Sequence, residues 1–338
     1  MKLLRTYRFL ALTTIALVMA LVSSAHALTI TPVRLEIKGE PGQVVKQEMT
    51  LINEQAVPVT YYSSFANFEA QGDTGSPAFV VAKDDIGTWM KTSESITLGP
   101  NESKAIAINI AIPTDASAGG HFGAIFWGTA PNETTPGQLA ISAKTGMLIL
   151  LSVSGDVKEA GGLADFMTVG NKFWYNTLPV SFEYRFRNDG GDRIKPVGKI
   201  TIRDTVYIPA DRLDANPVQG NILPSSMRKF KVDWIKYSEP AGEPLATSAF
   251  GKFFHKVGYQ WKNFALGLYF AKIDITYGSQ GQHATDQVKF FVFPWQLVIV
   301  IVVVLVLVLW GSKKILKKYN RFIISQARAG MSDESLEQ

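Results

Sequence analysis

Apolar and polar side chains alternate along most of this chain. In KAIAINIAIP, Ile106, Ile108, Ile110 and Ile112 fall on one side, and Ala105, Ala107, Asn109 and Ala111 on the other. A period of two is the signature of a half-buried strand. TITPVRLEI, QVVKQEMTLIN and VPVTYYSSF read the same way, and the turn signals GEPGQ and NEQAVP separate them. TGMLILLSVSG is a more continuous apolar strand. Between residues 28 and 154 no stretch has convincing helical periodicity. GGHFGAIFWG (Gly119–Gly128) opens with glycines, then sets Phe122, Ala124 and Phe126 against Ile125 and Trp127. It reads as a strand apolar on both faces.

The same texture resumes after the polar, glycine-bearing GDVKEAGG (Gly155–Gly162). PVSFEYRFRN, GKITIRD, KFKVDW and AKIDITYG all alternate. Short strands at this spacing predict antiparallel sandwiches. The expected fold is all-β, with two tandem immunoglobulin-like β-sandwiches over residues 28–156 and 162–289.

Three stretches break the alternation. Residues 1–27 begin with Lys2, Arg5 and Arg8, continue through an apolar run from Phe9 to Val22, and end in SSAHA. That order predicts a secretory signal peptide cleaved after Ala27. Residues 290–310 are apolar and uncharged, enough for the roughly 20 residues a transmembrane helix needs. Trp295 and Trp310 sit near the ends of this span, and Lys313, Lys314, Lys317, Lys318 and Arg321 follow it. Positive flanks stay inside. The expectation is therefore a single-pass protein of the cell membrane, its ectodomain outside and residues 311–338 a basic cytoplasmic tail. No stalk separates QVKFFVF from the span, so the second sandwich is expected to sit on the bilayer. The third stretch, Ser248–Gly267, places Phe253, Phe254, Val257, Trp261 and Phe264 at helical spacing beside Lys252, Lys256 and Lys262. It reads first as a crossover covering the open end of the sandwich, and alternatively as an amphipathic piece on the membrane surface.

Charge and composition narrow the function classes. The formal net charge of +5 belongs to the two ends. Without the leader and the residues after 310, 25 basic and 26 acidic side chains remain. A near-neutral ectodomain has no electrostatic footprint for a nucleic acid. There are no cysteines, so the sandwiches rest on apolar cores rather than disulfides. The sequons at Asn101 and Asn132 are read as loop residues. His121, His255 and His283 lack the spacing of a zinc pair, and no nucleophile elbow, P-loop or dinucleotide fingerprint occurs. Asp84 and Asp85 read as a solvated turn and RNDGGDR (Arg187–Arg193) as a hairpin turn. His121 reads as structural, having no second titratable partner near it in sequence. No catalytic residue, metal ligand or cofactor is expected, and no binding residue can be named.

ITPVRLEIKGEPGQVVKQEMTLINEQAVPVTYYSSF followed by TWMKTSESITLGPNESKAIAINIAIPTDASAGGHFGAIFW resembles the first domain of WxL-interacting proteins. Trp89, Pro100, Ser103, Pro113, Asp115, Ala116 and Gly119 stand where that pattern has a Trp, a P-x-x-S turn and a P-x-D-A-x-x-G turn. LPSSMRKFKVDW and GLYFAKIDITYG are similar to the family's second domain, more loosely. The resemblance implies a bacterial surface protein whose first domain engages peptidoglycan and whose second engages surface proteins carrying WxL domains. It implies no individual contact residue. The leading expectation is thus a non-catalytic, membrane-anchored surface scaffold or adhesion protein. The alternative is an extracytoplasmic assembly chaperone or accessory subunit of a membrane or pilus-like machine.

Overall fold

A computed structural model describes residues 28–131, 143–239 and 248–334. The expected signal peptide and the sequon at Asn132 lie outside these residues. The chain forms two compact units, each an immunoglobulin-like β-sandwich.

The first unit is built from β1 (Leu28–Thr31), β2 (Arg34–Gly39), β3 (Val44–Asn53), β4 (Val59–Gln71), β5 (Ser76–Val81), a single helical turn α1 (Ile86–Trp89), β6 (Met90–Lys91), β7 (Ser95–Leu98), β8 (Ser103–Ala111), β9 (Gly119–Gly128) and β10 (Lys144–Val153). One sheet has the order β1-β3-β8-β6. The other runs β2-β10-β9-β4-β5, with β7 also on β4. All pairings are antiparallel except β2 on β10. The alternation in KAIAINIA maps directly onto β8, where Ile106, Ile108 and Ile110 are buried and the residues between them exposed. With Met49, Leu51, Ile125, Ile149 and Leu151 they form a core that is mainly aliphatic.

β9 is the central strand of its sheet, held by β10 on one side and β4 on the other. That position explains why GGHFGAIFWG is apolar on both faces. Trp127 and Ile125 point into the core. Phe122 and Phe126 point outward into an aromatic cluster with Phe68 and Phe79. The glycines have distinct reasons. Gly119 has φ of +119°, a backbone that L side chains rarely adopt. A Cβ on Gly123 would lie 2.9 Å from both Ile86 and Met90, so its absence lets α1 pack on the strand. The four-residue α1 is a helical element where none was expected.

The second unit holds β11 (Gly161–Thr168), a 3-10 turn (Val169–Asn171), β12 (Trp174–Tyr175), β13 (Val180–Asn188), β14 (Val197–Arg203), β15 (Pro209–Asp214), β16 (Ser226–Trp234), α2 (Ala249–Lys262), β17 (Gly267–Tyr277), β18 (Gln282–Val292) and α3 (Trp295–Glu334). Its sheets are β11-β13-β16 and β12-β18-β17-β14-β15. Here the core is much richer in aromatic rings. Phe182, Tyr184, Phe186, Trp234, Tyr269 and Phe290 interlock, with Tyr184 stacked on Phe230 at 4.9 Å and Tyr269 on Phe290 at 5.7 Å.

Two expectations need correction. Phe290–Val292, assigned above to the membrane span, are the last residues of β18, because Phe290 and Val292 continue its buried alternation. The helix begins at Trp295, and its segment Trp295–Ile324 is long and apolar enough to cross a membrane. At about 1.5 Å per residue, that is roughly 45 Å against a hydrocarbon core of about 30 Å. RNDGGDR is not a hairpin turn, since β13 and β14 belong to different sheets. The loop carries the chain between them. The crossover read into Ser248–Gly267 carries the chain from β16 to β17, which lie in different sheets, and holds a 14-residue helix packed on α3, with Phe250, Phe254 and Trp261 exposed.

Candidate functional site

His121 is buried at the start of β9. Its Nδ1 lies 2.5 Å from Asp85 Oδ1 and its Nε2 2.9 Å from the Ser117 carbonyl oxygen. Trp89 lies against the imidazole, ring centroids 4.7 Å apart. Asn67, from β4, completes the arrangement: its Nδ2 donates to the Asp84 carbonyl and its Oδ1 accepts from Gly87 N–H. Asp85 itself takes φ of +60°. The four side chains thus clamp α1 to the sheet.

The chemistry of this clamp is restricted. Both imidazole nitrogens face acceptors, and only the imidazolium has two N–H groups to give. Burial pulls the pKa of His121 down. The hydrogen bonds to Asp85 and Ser117, together with the negative charges of Asp85 and Asp192, outweigh burial and raise it above the ordinary value. A doubly donating imidazolium has no lone pair for a metal or for a general base. The partner that His121 was expected to lack is Asp85, 36 residues away in sequence.

Of the remaining candidates, Asp192 of RNDGGDR acts on His121 through its negative charge, and Gly191 of the same loop accepts from Gly120 N–H beside it. His255 Nε2 lies 3.4 Å from Glu239 Oε1, and His283 Nδ1 lies 3.4 Å from Asp274 Oδ1. Asp84 contributes its carbonyl rather than its carboxylate. In RNDGGDR, Arg187 Nε donates to Asp189 Oδ2 at 2.8 Å, and Asp189 N–H donates to the Ala160 carbonyl. Asn101 sits in the turn before β8 with φ of +55°. Among the described residues no group of three or more His, Asp or Glu side chains could hold a metal ion.

What the first unit does offer is an unfinished sheet. β5 reads SPAFVV, pairs with β4 through Ala66↔Val81 to Gln71↔Ser76, and has no strand on its other side among the described residues. It carries no charge. Val81 is 76% exposed, Phe79 47% and Val80 42%. Phe79 packs edge-on against Phe126 at 4.9 Å and Phe68 at 6.1 Å, so the open strand merges with the aromatic cluster on the outer face. A long apolar edge of this kind is a template for another strand, and folded proteins ordinarily blunt it with charge, proline or a bulge. A second, shorter gap lies on β10, where β2 covers Leu148–Val153 but not Lys144–Met147. Sequence periodicity marks β5 only weakly, because whether a strand is an edge depends on pairings remote in sequence.

No family model matches the chain, and no curated protein matches it. Among solved structures, the class 5 fimbriae chaperone CfaA is similar at 12% identity and a TM-score of 0.37, over 77% of this chain and 98% of that one. The CsuC–CsuE chaperone–tip adhesion subunit pre-assembly complex of Acinetobacter baumannii is similar at 8% identity and a TM-score of 0.33, over 60% and 89%. The Salmonella enterica SafA pilin in complex with the SafB chaperone is similar at 12% identity and a TM-score of 0.31, over 80% and 98%. At these values the likenesses assign neither family nor function.

Proposed function

We propose that this chain is a non-catalytic, membrane-anchored assembly factor of the cell exterior. It holds an extended apolar segment of an exported protein partner as an added strand on β5. The observation that carries this reading is the edge: six uncharged residues, three of them large and exposed, on a sheet that ends there. Strand addition gains main-chain hydrogen bonds for affinity and uses alternate side chains for specificity. Phe79, with Phe126 beside it, supplies the apolar contact on one face, and Val80 supplies it on the other. The helix Trp295–Ile324 supports a single-pass anchor, with Lys313, Lys314, Lys317 and Lys318 holding its far end inside.

The test is co-purification of exported proteins with the full chain from detergent-solubilised membranes, using the wild type and a Val80→Lys, Val81→Lys variant. The reading expects a partner that is retained by the wild type and lost from the variant. Equal retention by both would refute it. In a parallel arm the full chain is sedimented with peptidoglycan sacculi. Sedimentation that survives the two lysines would favour a wall polymer as the ligand, as the resemblance to WxL-interacting proteins implies.

A further inference from the structure

The second unit exposes its large apolar side chains at one end. β14 ends at Arg203, opposite Phe270 of β17, and the turn that follows holds Val206, Tyr207 and Ile208, each at least 60% exposed. Thr205 Oγ1 donates to the Leu268 carbonyl, and Leu268 is opposite Phe291 of β18. Phe291 in turn pairs with Trp174 of β12, whose indole is exposed and lies 4.6 Å from the Phe291 ring. Two residues beyond Val292 and Phe293 the apolar helix α3 starts. The turn, β12 and the root of α3 therefore share one end of the sandwich. Of the exposed large apolar residues on its strands and loops, only Val197 and Val218 among the described residues lie away from this end.

α2 extends the same surface. Its apolar residues recur at i, i+3, i+4, i+7 and i+11 from Phe250, giving one face of Phe250, Phe253, Phe254, Val257 and Trp261. Lys252, His255, Lys256, Tyr259 and Lys262 occupy the opposite face. The helix is fixed in place by buried amides. Gln260 Oε1 accepts from Leu297 N–H in the first turn of α3, and Gln260 Nε2 donates to Gln296 Oε1. Asn263 binds Lys236 N–H, Tyr237 N–H and the Tyr237 carbonyl at the end of β16. Yet the apolar face so oriented is only partly covered: Phe253 and Val257 are half-buried, and the other three are exposed. Phe254 is 47% exposed and Trp261 67%. A groove of ≈ 500 Å³ between the helices is lined by Val257, Gly258, Trp261, Val300, Val304 and Leu305, among others. Its floor is the flank of the same helix that crosses the membrane.

We infer that this end of the second unit is built into the bilayer: α2 lies in the outer interfacial layer, with acyl chains filling the groove against α3, and the Val206–Ile208 turn and Trp174 dip into the same layer. Continuity with α3 argues for lipid over a protein partner, because Val304 and Leu305 lie well inside the span. The amphipathic helix, with apolar aromatic residues on one face and lysines on the other, is the pattern of an interfacial element. Lys252 and Lys256 stand on the face turned away from the apolar layer, and Lys262 Nζ lies over the Tyr237 ring at 4.1 Å. Exposed Trp174, Trp261 and Trp295 suit a depth where indole rings are favoured.

The inference rests on α3 spanning the membrane, and one experiment separates the two. The chain has no cysteine, so nitroxide labels can be placed singly at Phe254→Cys, Trp261→Cys, Tyr207→Cys, Val304→Cys and Val197→Cys. The full chain is reconstituted in vesicles of phosphatidylcholine and phosphatidylglycerol, and each label's collision with oxygen and with a water-soluble nickel chelate is measured. Labels at 254, 261 and 207 are expected to show an oxygen-to-nickel ratio several-fold above that at 197. If 304 is lipid-exposed but 254, 261 and 207 match 197, or are shielded from both reagents, the inference is overturned and the anchor stands. If 304 matches 197, the anchor itself fails.

Discussion

The two sandwiches solve the same architectural problem with different materials and leave different surfaces open. The first closes on an aliphatic core of Ile106, Ile108, Ile110, Leu51 and Leu151. The second closes on interlocked rings, with Trp234, Tyr269 and Phe290 in mutual contact. Their edges differ more. In the second unit β11 has a register shift between Leu163 and Asp165, and Asp165 is tied to Arg185 at 2.8 Å. β15 reads PADRLD, β16 carries Arg228, Lys229, Lys231 and Asp233, and β12 is two residues long. These are the usual devices against unwanted pairing. In the first unit β2 is charged, with Arg34 and Glu36 paired at 3.1 Å, whereas β5 carries none of these protections except Pro77 near its start. One unit thus leaves apolar surface on a strand edge, and the other mainly at the end that carries α3. An apolar surface kept in a protein that protects itself elsewhere points to a partner.

The largest effect should separate the cores. Trp234→Ala in the second unit should cost about 3–5 kcal/mol, against about 0.5–1.5 kcal/mol for Ile108→Val in the first. Urea denaturation of the full chain in detergent, followed by hydrogen exchange of β17 and of β8, would resolve which unit each change loosens. Comparable losses from both would mean that the ring cluster is no more interdependent than the aliphatic core.

An intermediate effect should come from the His121 clamp, which has no counterpart among the described residues of the second unit. His121→Gln removes a charge-assisted bond to Asp85 and should cost about 1–3 kcal/mol. The pKa of His121 is raised on folding. Its stabilisation is therefore fully present below the unfolded value of about 6.5 and is lost as pH rises through the higher folded value. Hydrogen exchange across residues 84–90 should accelerate from neutral to alkaline pH in the wild type, beyond the ordinary base catalysis seen in a His121→Gln chain. Parallel profiles in the two chains would remove the clamp.

The smallest effect on stability belongs to the edge. Val80→Lys with Val81→Lys should change unfolding by no more than about 0.5 kcal/mol per site, because both side chains are exposed. A loss of several kcal/mol would show that β5 is needed for the fold itself and would blunt its contrast with β15.

Much of this molecule could be read from periodicity. KAIAINIA, VSFEYRFRN and AKIDITY became β8, β13 and part of β17, with the expected residues inside. Alternation is a local property, and each strand carries it complete. The contacts that distinguish the two units are not local. Asp85 meets His121 only because β4 and β9 pair and Asn67 holds the turn between them. Nothing in SPAFVV states that no strand follows it in the sheet. Helical spacing at Phe253–Phe264 is plain in the sequence, but the side on which those rings lie depends on Gln260 reaching Leu297. The boundary between β18 and α3 was misplaced for a simpler reason: a fully buried strand end and a membrane span share one composition, and only the pairing of Phe291 with Leu268 tells them apart.

The most direct measurement is site-specific photo-crosslinking in growing cells, with the reactive side chain placed at Val80 on β5 or at Arg212 on β15 of the full-length, membrane-inserted protein. The account predicts a discrete adduct with an exported protein at Val80, none at Arg212, and loss of the Val80 adduct when Val81 is Lys. Equal adducts at both positions, or an adduct at Arg212 alone, would contradict it.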